Sequence, residues 1–409
     1  MLIYVLSDLL WQPDYTPRIE VGLPQINLDA PRLLAHCFLY ELDSFLASDP
    51  NRDFVRYMDD IDIGVDTIVD AKTVLRSVDL VLQTKQVRLN SGKTVILTRG
   101  EAIKHFRVLE NARLDAVRAS VAYRLEKGLS LDRQRRVIEL RLSRGIKRRA
   151  FDTGNGEKIL KRWLGLAAQT NAPVKPEILE QLIRLRPSVR ENVYGLIRSR
   201  PLTPSLASVL ARSASSGLLV DDAAMVEMSN HLVETLSKTK NCQASIQQVI
   251  DSNDQNQYYG LYSKLWLQSK YASTTELLGT LINTERLWVP HERLGRLAAS
   301  FLPLFENSPE EAVFISVLNR TFNSGVRATY KFHINLAQDA KMFNEMFSAL
   351  KAPNPTRGTR ITHAKFLCLL SALRNPAASP AQKTTLKANH SVAFTDAYYK
   401  GIAERLKVI

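Results

Sequence analysis

Asp59 and Asp60 are adjacent carboxylates inside the stretch Phe54-Val55-Arg56-Tyr57-Met58-Asp59-Asp60-Ile61-Asp62-Ile63-Gly64-Val65. Two like charges side by side repel, so the pair persists where it is exposed or bridged by a cation. Hard carboxylate oxygens suit Mg²⁺, and a site of that kind does phosphate chemistry; the plain reading is a solvated Asp-Asp turn. Apolar and β-branched residues run up to the pair, and alternation resumes with Ile61, Ile63 and Val65 on one side. That pattern predicts a β-hairpin with both aspartates at its tip. Ala71, Val74, Leu75, Val78 and Leu82 repeat at helical spacing and predict a helix covering the sheet.

Two further segments flank the hairpin. Upstream, the turn Gly22-Leu23-Pro24-Gln25 leads to Asp29, Pro31 and the apolar positions Leu34, Ala35, Phe38, Leu42, Phe45 and Leu46. These mark one face of a long helix ending in Glu41-Leu42-Asp43, with Asp29 as N-cap and Pro31 in the first turn. Downstream, Asn90-Ser91-Gly92 is turn chemistry, followed by Lys93-Thr94 and a short strand over Val95-Ile96-Leu97. Alone, Lys93 reads as a surface lysine.

Tyr57-Met58-Asp59-Asp60 after an aromatic and β-branched strand resembles the active-site motif of reverse transcriptases. The Gly22–Gln25 turn resembles the motif that precedes it in that family, and Leu89-Asn90-x-x-Lys93-Thr94 the one that follows. Where the family usually continues with a glycine and a serine after the glutamine, this chain has Ile26-Asn27. The resemblance implies an RNA-directed DNA polymerase in which Asp59 coordinates two Mg²⁺ ions and Asp60 supports the site. It places Tyr57 and Met58 near the primer end and Lys93 near the triphosphate. Gly22, Leu23, Pro24 and Gln25 would lie under the template and incoming nucleotide. The partners implied are an RNA template, a DNA or RNA primer and dNTPs. The family takes a third carboxylate from an earlier strand and has nucleotide-gripping fingers before it. Only twenty-one residues precede Gly22, so the chain is expected to correspond to the C-terminal two-thirds or so of a larger polymerase and to polymerise poorly by itself.

The chain has 409 residues, 45% apolar and 23% charged, which are the values of a globular protein with room for two or three domains. Three distant cysteines indicate neither a disulfide framework nor a zinc knuckle. Without a signal peptide or a membrane-length apolar run, a soluble cytoplasmic protein is expected, with no membrane partner. The net charge of +14 is unevenly spread. Residues 1–98 hold 9 basic and 14 acidic side chains, whereas residues 99–165 hold 18 and 8. An acidic block suits cations and a basic one suits phosphates.

The fold class expected is α+β: a palm remnant (hairpin plus helices, residues 1–98), a basic helical thumb or connector (99–165) and a mainly α C-terminal region (166–409). Residues 101–127 predict one long amphipathic helix or a pair. Next, Arg133, Arg135, Arg136, Arg141, Arg144, Lys147, Arg148 and Arg149 lie where a reverse transcriptase carries its thumb, so the resemblance implies contact with nucleic-acid phosphates; otherwise the run is a solvated helix face. Beyond residue 166, helical segments punctuated by proline and glycine predict a degenerate helical-repeat array. Bacterial retron-related and abortive-infection reverse transcriptases carry a helical domain in this place, which implies a role in antiphage defence and a protein partner or oligomer through that domain. The alternative is a non-catalytic helical-repeat protein that binds nucleic acid or protein and keeps a vestigial palm. Two weaker signals are set aside. Arg286 with His291 and Arg327 with His333 fit a loose nuclease spacing, and Tyr258, Tyr259, Tyr262, Trp266 and Tyr271 could stack single-stranded bases, although their helical spacing reads rather as packing between helices.

Overall fold

A computed structural model describes residues 29–50, 52–219, 221–352 and 361–409. The chain divides into two compact units, Met1–Ala102 and Ile103–Ile409. Helix is the dominant structure, and a two-stranded antiparallel sheet is the only sheet among the described residues. No described helix is long and apolar enough to cross a membrane.

The first unit holds α1 (Asp29–Phe38), α2 (Tyr40–Ala47), β1 (Phe54–Tyr57), β2 (Asp60–Ile63) and α3 (Ile68–Thr84). The helix expected to run from Asp29 to Asp43 is instead two helices that meet at Leu39 and continue to Ala47. The break frees Leu42 and Leu46 to bury completely while Phe38 stays 37% exposed. Leu42 and Leu46 meet Val74, Val78 and Leu82 of α3, whose i, i+4, i+8 spacing forms the stripe read from the sequence. Thr67 caps α3 by accepting from the Asp70 N–H at 3.1 Å. Phe54, Ile61 and Ile63 pack onto this core from the hairpin, and Leu89 joins it from the segment beyond α3. The strand expected over Val95–Leu97 does not form. Val95 and Ile96 are exposed, and no strand among the described residues pairs with them. The division between the units falls within α4 (Arg99–His105).

The second unit begins its helical run with α5 (Val108–Glu126), α6 (Asp132–Lys147) and α7 (Gly156–Thr170). Residues 101–127 therefore form a pair, broken at Phe106-Arg107, where Arg107 takes a φ of 54°. It continues with α8 (Pro176–Leu185), α9 (Arg190–Arg198), α10 (Pro204–Ala214), α11 (Asp222–Glu234), α12 (Gln243–Asp251) and α13 (Tyr258–Tyr271). Then come α14 (Thr274–Asn283), α15 (Glu285–Trp288), α16 (Glu292–Ser300), α17 (Leu302–Phe305), α18 (Glu311–Asn319) and α19 (Ser324–Gln338). The last four are α20 (Ala340–Lys351), α21 (His363–Arg374), α22 (Pro380–Asn389) and α23 (Ala397–Arg405). From α7 to α13 each helix packs against the one two along, and the stacking passes on from α13 to α16, α19 and α21. One continuous core runs from Leu114 to Val408. Pro176, Pro204 and Pro380 sit in first helical turns, so several prolines start helices as well as separate them.

A fully buried ion pair ties the last helix to the middle of this stack. The Lys270 ammonium donates to the carbonyls of Val233 (2.8 Å) and Thr235 (3.0 Å) and to Asp396 Oδ2 (3.0 Å). Asp396 caps α23 through Oδ1, accepting from the Tyr398 and Tyr399 N–H groups, and Oδ2 also accepts from the Ser237 N–H at 2.7 Å. Burial pushes the Lys270 ammonium below its ordinary range.

Two outcomes test this unit. Asp396→Ala leaves a buried ammonium without its anion, and denaturant unfolding is expected to show a loss of roughly 3–5 kcal/mol. His333 is buried against Ser371, and burial lowers its pKa to about 4. The unfolded state therefore takes up a proton first, so stability is full above the ordinary histidine range and falls as pH drops towards the folded value. Unfolding midpoints are expected to record a loss of up to about 3 kcal/mol from this group between about pH 7 and pH 4, with a shallower slope in His333→Gln.

Candidate functional site

The hairpin pairs Phe54 with Ile63, Val55 with Asp62, Arg56 with Ile61 and Tyr57 with Asp60. This leaves a two-residue loop of Met58 and Asp59. A further bond from the Gly64 N–H to the Asp53 carbonyl, 2.8 Å, closes the open end. Asp59 thus occupies the turn and Asp60 opens β2, which is the apex arrangement that the alternation predicted. Val65 lies beyond the strand and is exposed. The side-chain period of two places Phe54, Arg56, Ile61 and Ile63 towards the core and Val55, Tyr57, Asp60 and Asp62 towards solvent. Tyr57 is 79% exposed and Val55 69%.

Arg56 holds this apex in place. Its Nε donates to Asp43 Oδ1 at 2.5 Å, its Nη2 to Asp43 Oδ2, and its Nη1 to the Met58 carbonyl at 2.7 Å. The planar fork spans the carboxylate on α2 with two donors and uses a third on the turn. Hydrogen bonding to Asp43 raises the Arg56 pKa further. Met58 has a φ of 58°, a left-handed conformation disfavoured for a residue with a Cβ. The guanidinium on its carbonyl stabilises that conformation and so sets where Asp59 projects. Arg56 and Asp43 were not singled out in the sequence. Their signal was an arginine on the inward face of an otherwise apolar strand, which requires a buried partner.

Gly22, Leu23, Pro24 and Gln25 lie outside the described residues. Lys93 stands in the Asn90–Lys93 turn, where Asn90 Oδ1 accepts from the Gly92 N–H at 3.1 Å and the Asn90 carbonyl from the Lys93 N–H at 2.9 Å. Its ammonium is exposed and has no ion-pair partner among the described residues. Asp59 and Asp60 supply oxygen donors of the hardness Mg²⁺ prefers, and one or two carboxylates suffice when a phosphate and water complete the shell. No group of three or more His, Cys, Asp or Glu side chains among the described residues could hold a metal ion. The apex itself offers two such carboxylates on adjacent residues.

In the second unit, α6 buries Gln134, Ile138, Leu142 and Gly145. Arg133, Arg136, Leu140, Arg144 and Lys147 recur every three or four residues along the opposite face, with Arg141 at its flank. Arg148 and Arg149 extend this basic surface past the helix end. Arg133, Arg136, Arg141, Arg144, Lys147, Arg148 and Arg149 are exposed and have no acidic partner among the described residues. Arg135 differs from them. It is half-buried and donates to the Thr170 carbonyl at 2.7 Å and to Asp132 at 3.3 Å, so it braces the end of α7 and is not free for phosphate. Gly145 is where the Phe151 ring crosses α6: a Cβ there would lie 2.4 Å from the ring. That contact folds the following loop back onto the helix and leaves the arginine face open.

The remaining signals sort by burial. Trp266 and Tyr271 are core residues, as the packing reading expected, whereas Tyr259 is 40% exposed. His333 is buried, so the Arg327–His333 spacing presents no accessible imidazole. No family model, curated protein or solved structure matches this chain.

Arg56→Ala removes the fork while leaving Asp43 in place. It is expected to destabilise the hairpin by roughly 1–3 kcal/mol, read as faster hydrogen exchange of the hairpin amides. Arg56→Lys should recover only part of the loss, because an ammonium cannot span both carboxylate oxygens. Unchanged exchange in both variants would show that the turn holds itself.

Proposed function

We propose that this chain is a nucleotidyl-transfer protein of the reverse-transcriptase type, an RNA-directed DNA polymerase whose catalytic acids are Asp59 and Asp60. The single observation supporting it is the exposed apex: Asp59 in a two-residue turn held left-handed by Arg56, with Asp60 at the head of the next strand. A rigid turn presenting adjacent carboxylates to solvent suits a site that meets a primer end and a triphosphate. Mg²⁺ bound there would supply Lewis-acid stabilisation of charge on phosphate oxygens. The chain's own part is positional. Asp59 and Asp60 hold the charge, Tyr57 and Met58 border the primer, and Lys93 is the cation available to triphosphate oxygens from its exposed turn. Gly22 to Gln25 keep their proposed place under the template and incoming nucleotide on the motif alone. The α6 face, without Arg135, is the proposed contact for template–primer phosphates. The second unit, in which each helix from α7 to α13 packs on the one two along, reads as a degenerate helical-repeat array. An antiphage role rests on the family resemblance.

A second reading has its own observation. The lack of a three-carboxylate set among the described residues fits a vestigial palm attached to a nucleic-acid- or protein-binding array.

Primer extension on an RNA template with dNTPs and Mg²⁺ separates the two. Weak extension by the chain alone that Asp59→Asn abolishes is the expected result. Extension indifferent to Asp59→Asn sinks the polymerase reading, and RNA binding without any extension favours the second. In the same protein, Arg136→Glu with Arg141→Glu and Arg144→Glu should weaken duplex binding and flatten its salt dependence by about 0.9 per lost contact. An unchanged salt slope would remove α6 from the interface.

A further inference from the structure

The aromatic run on α13 divides into two populations. Leu261, Leu265, Trp266 and Tyr271 enter the core, whereas in the first turn Tyr259 is exposed and Tyr258 half-buried. There Tyr258 meets Tyr259 edge-on at 5.0 Å between centroids, and on its other side the His291 ring at 5.2 Å. Tyr259 and His291 are both exposed. One turn along, Arg293 lies over the Tyr262 ring, 5.5 Å from guanidinium carbon to centroid.

Polar groups stand on the segments next to these rings in the chain. Gln255, Asn256, Asn283, Thr284, Arg286 and Leu287 line a shallow groove. Gln255 and Asn283 carry amides with no hydrogen-bond partner among the described residues, and Asn256 turns its amide to Asp254 Oδ1 at 3.2 Å. The acids nearby are mostly engaged. Glu285 is bound by Arg320 and Glu292 by Arg296, which leaves Arg286 and Arg293 exposed against Asp254. Exposed rings, amides that donate and accept, and guanidiniums without an acidic partner among the described residues thus come from neighbouring segments of the chain.

We propose that this surface, formed by the start of α13 with α15 and the start of α16, binds a single-stranded nucleic acid. Bases stack on Tyr259 and His291, the groove amides meet base edges, and Arg286 and Arg293 take the phosphates. A duplex keeps its base faces stacked on one another, so it cannot use the rings. The same contacts serve DNA and RNA, because none of them reads the 2′ position. This site does not depend on the hairpin being catalytic.

The test removes the α6 contribution first. In the full chain carrying Arg136→Glu, Arg141→Glu and Arg144→Glu, fluorescence anisotropy measures binding of a labelled oligothymidylate strand. The remaining binding is expected to favour the single strand over a duplex by at least about tenfold and to fall by a similar factor in Tyr259→Ala with Arg286→Ala. All substituted side chains are exposed, and an unchanged melting temperature confirms folding. Photocrosslinking of a bromodeoxyuridine strand should mark peptides within 254–293. Equal affinity for duplex, indifference to the paired substitution, crosslinks elsewhere only, or no remaining binding at all would each overturn the proposal.

Discussion

A guanidinium beneath a turn governs what the first unit can present to solvent. Arg56 sits on the inward side of a strand whose other inward neighbours are apolar, and it is acceptable there because Asp43 takes two of its donors. The third donor reaches the Met58 carbonyl and stabilises a left-handed residue that its own Cβ disfavours. With the turn so held, Asp59 and Asp60 are displayed on a fixed backbone. A carboxylate pair on a loose loop would spread its charge over many positions and orient no ligand. Among the described residues the core below is built on Leu42, Leu46, Val74, Val78 and Leu82, and the polar clamp joins the hairpin to the helix that carries Leu42 and Leu46.

The second unit solves a different problem. Its helices bury apolar faces in succession, and the last described helix is tied back to the middle of that run by charge as well as apolar contact: it begins at Asp396, whose carboxylate caps it and meets Lys270 from α13. Two carbonyls and the carboxylate satisfy all three ammonium donors, and the Tyr399 ring lies 4.3 Å from the nitrogen. Full partnering is what makes burial of both charges tolerable. It also fixes the register of the C-terminal helix, since a shift by one residue would strand a charge.

Charge is sorted between function and architecture by the same rule. Eight basic residues follow one another closely in and after α6, yet Arg135 alone turns inward to a carbonyl at the end of α7. The aromatic run on α13 divides in the same manner. Helical spacing carries Trp266 and Tyr271 into the core and leaves Tyr259 outside, so one sequence pattern supplies both packing and an exposed ring.

Much of this was legible in the residues themselves. Alternation across Phe54–Ile63 determined the hairpin and its acidic apex, because a period of two admits only one face to a core. The Ala71–Leu82 stripe determined α3, and Pro176 and Pro204 marked helix boundaries in the second unit. Other features depended on distant neighbours. The break at Leu39 exists because Leu42 and Leu46 must reach α3, and nothing in residues 29–47 announces α3. Val95–Leu97 has strand composition, but no strand among the described residues lies beside it, and propensity without a pairing partner does not make a sheet. The Arg56–Asp43 clamp joins residues thirteen apart, and the Lys270–Asp396 pair joins residues 126 apart. Local pattern decides which face a residue occupies; only the packed chain decides which polar group on that face finds a partner and which is left to meet a ligand.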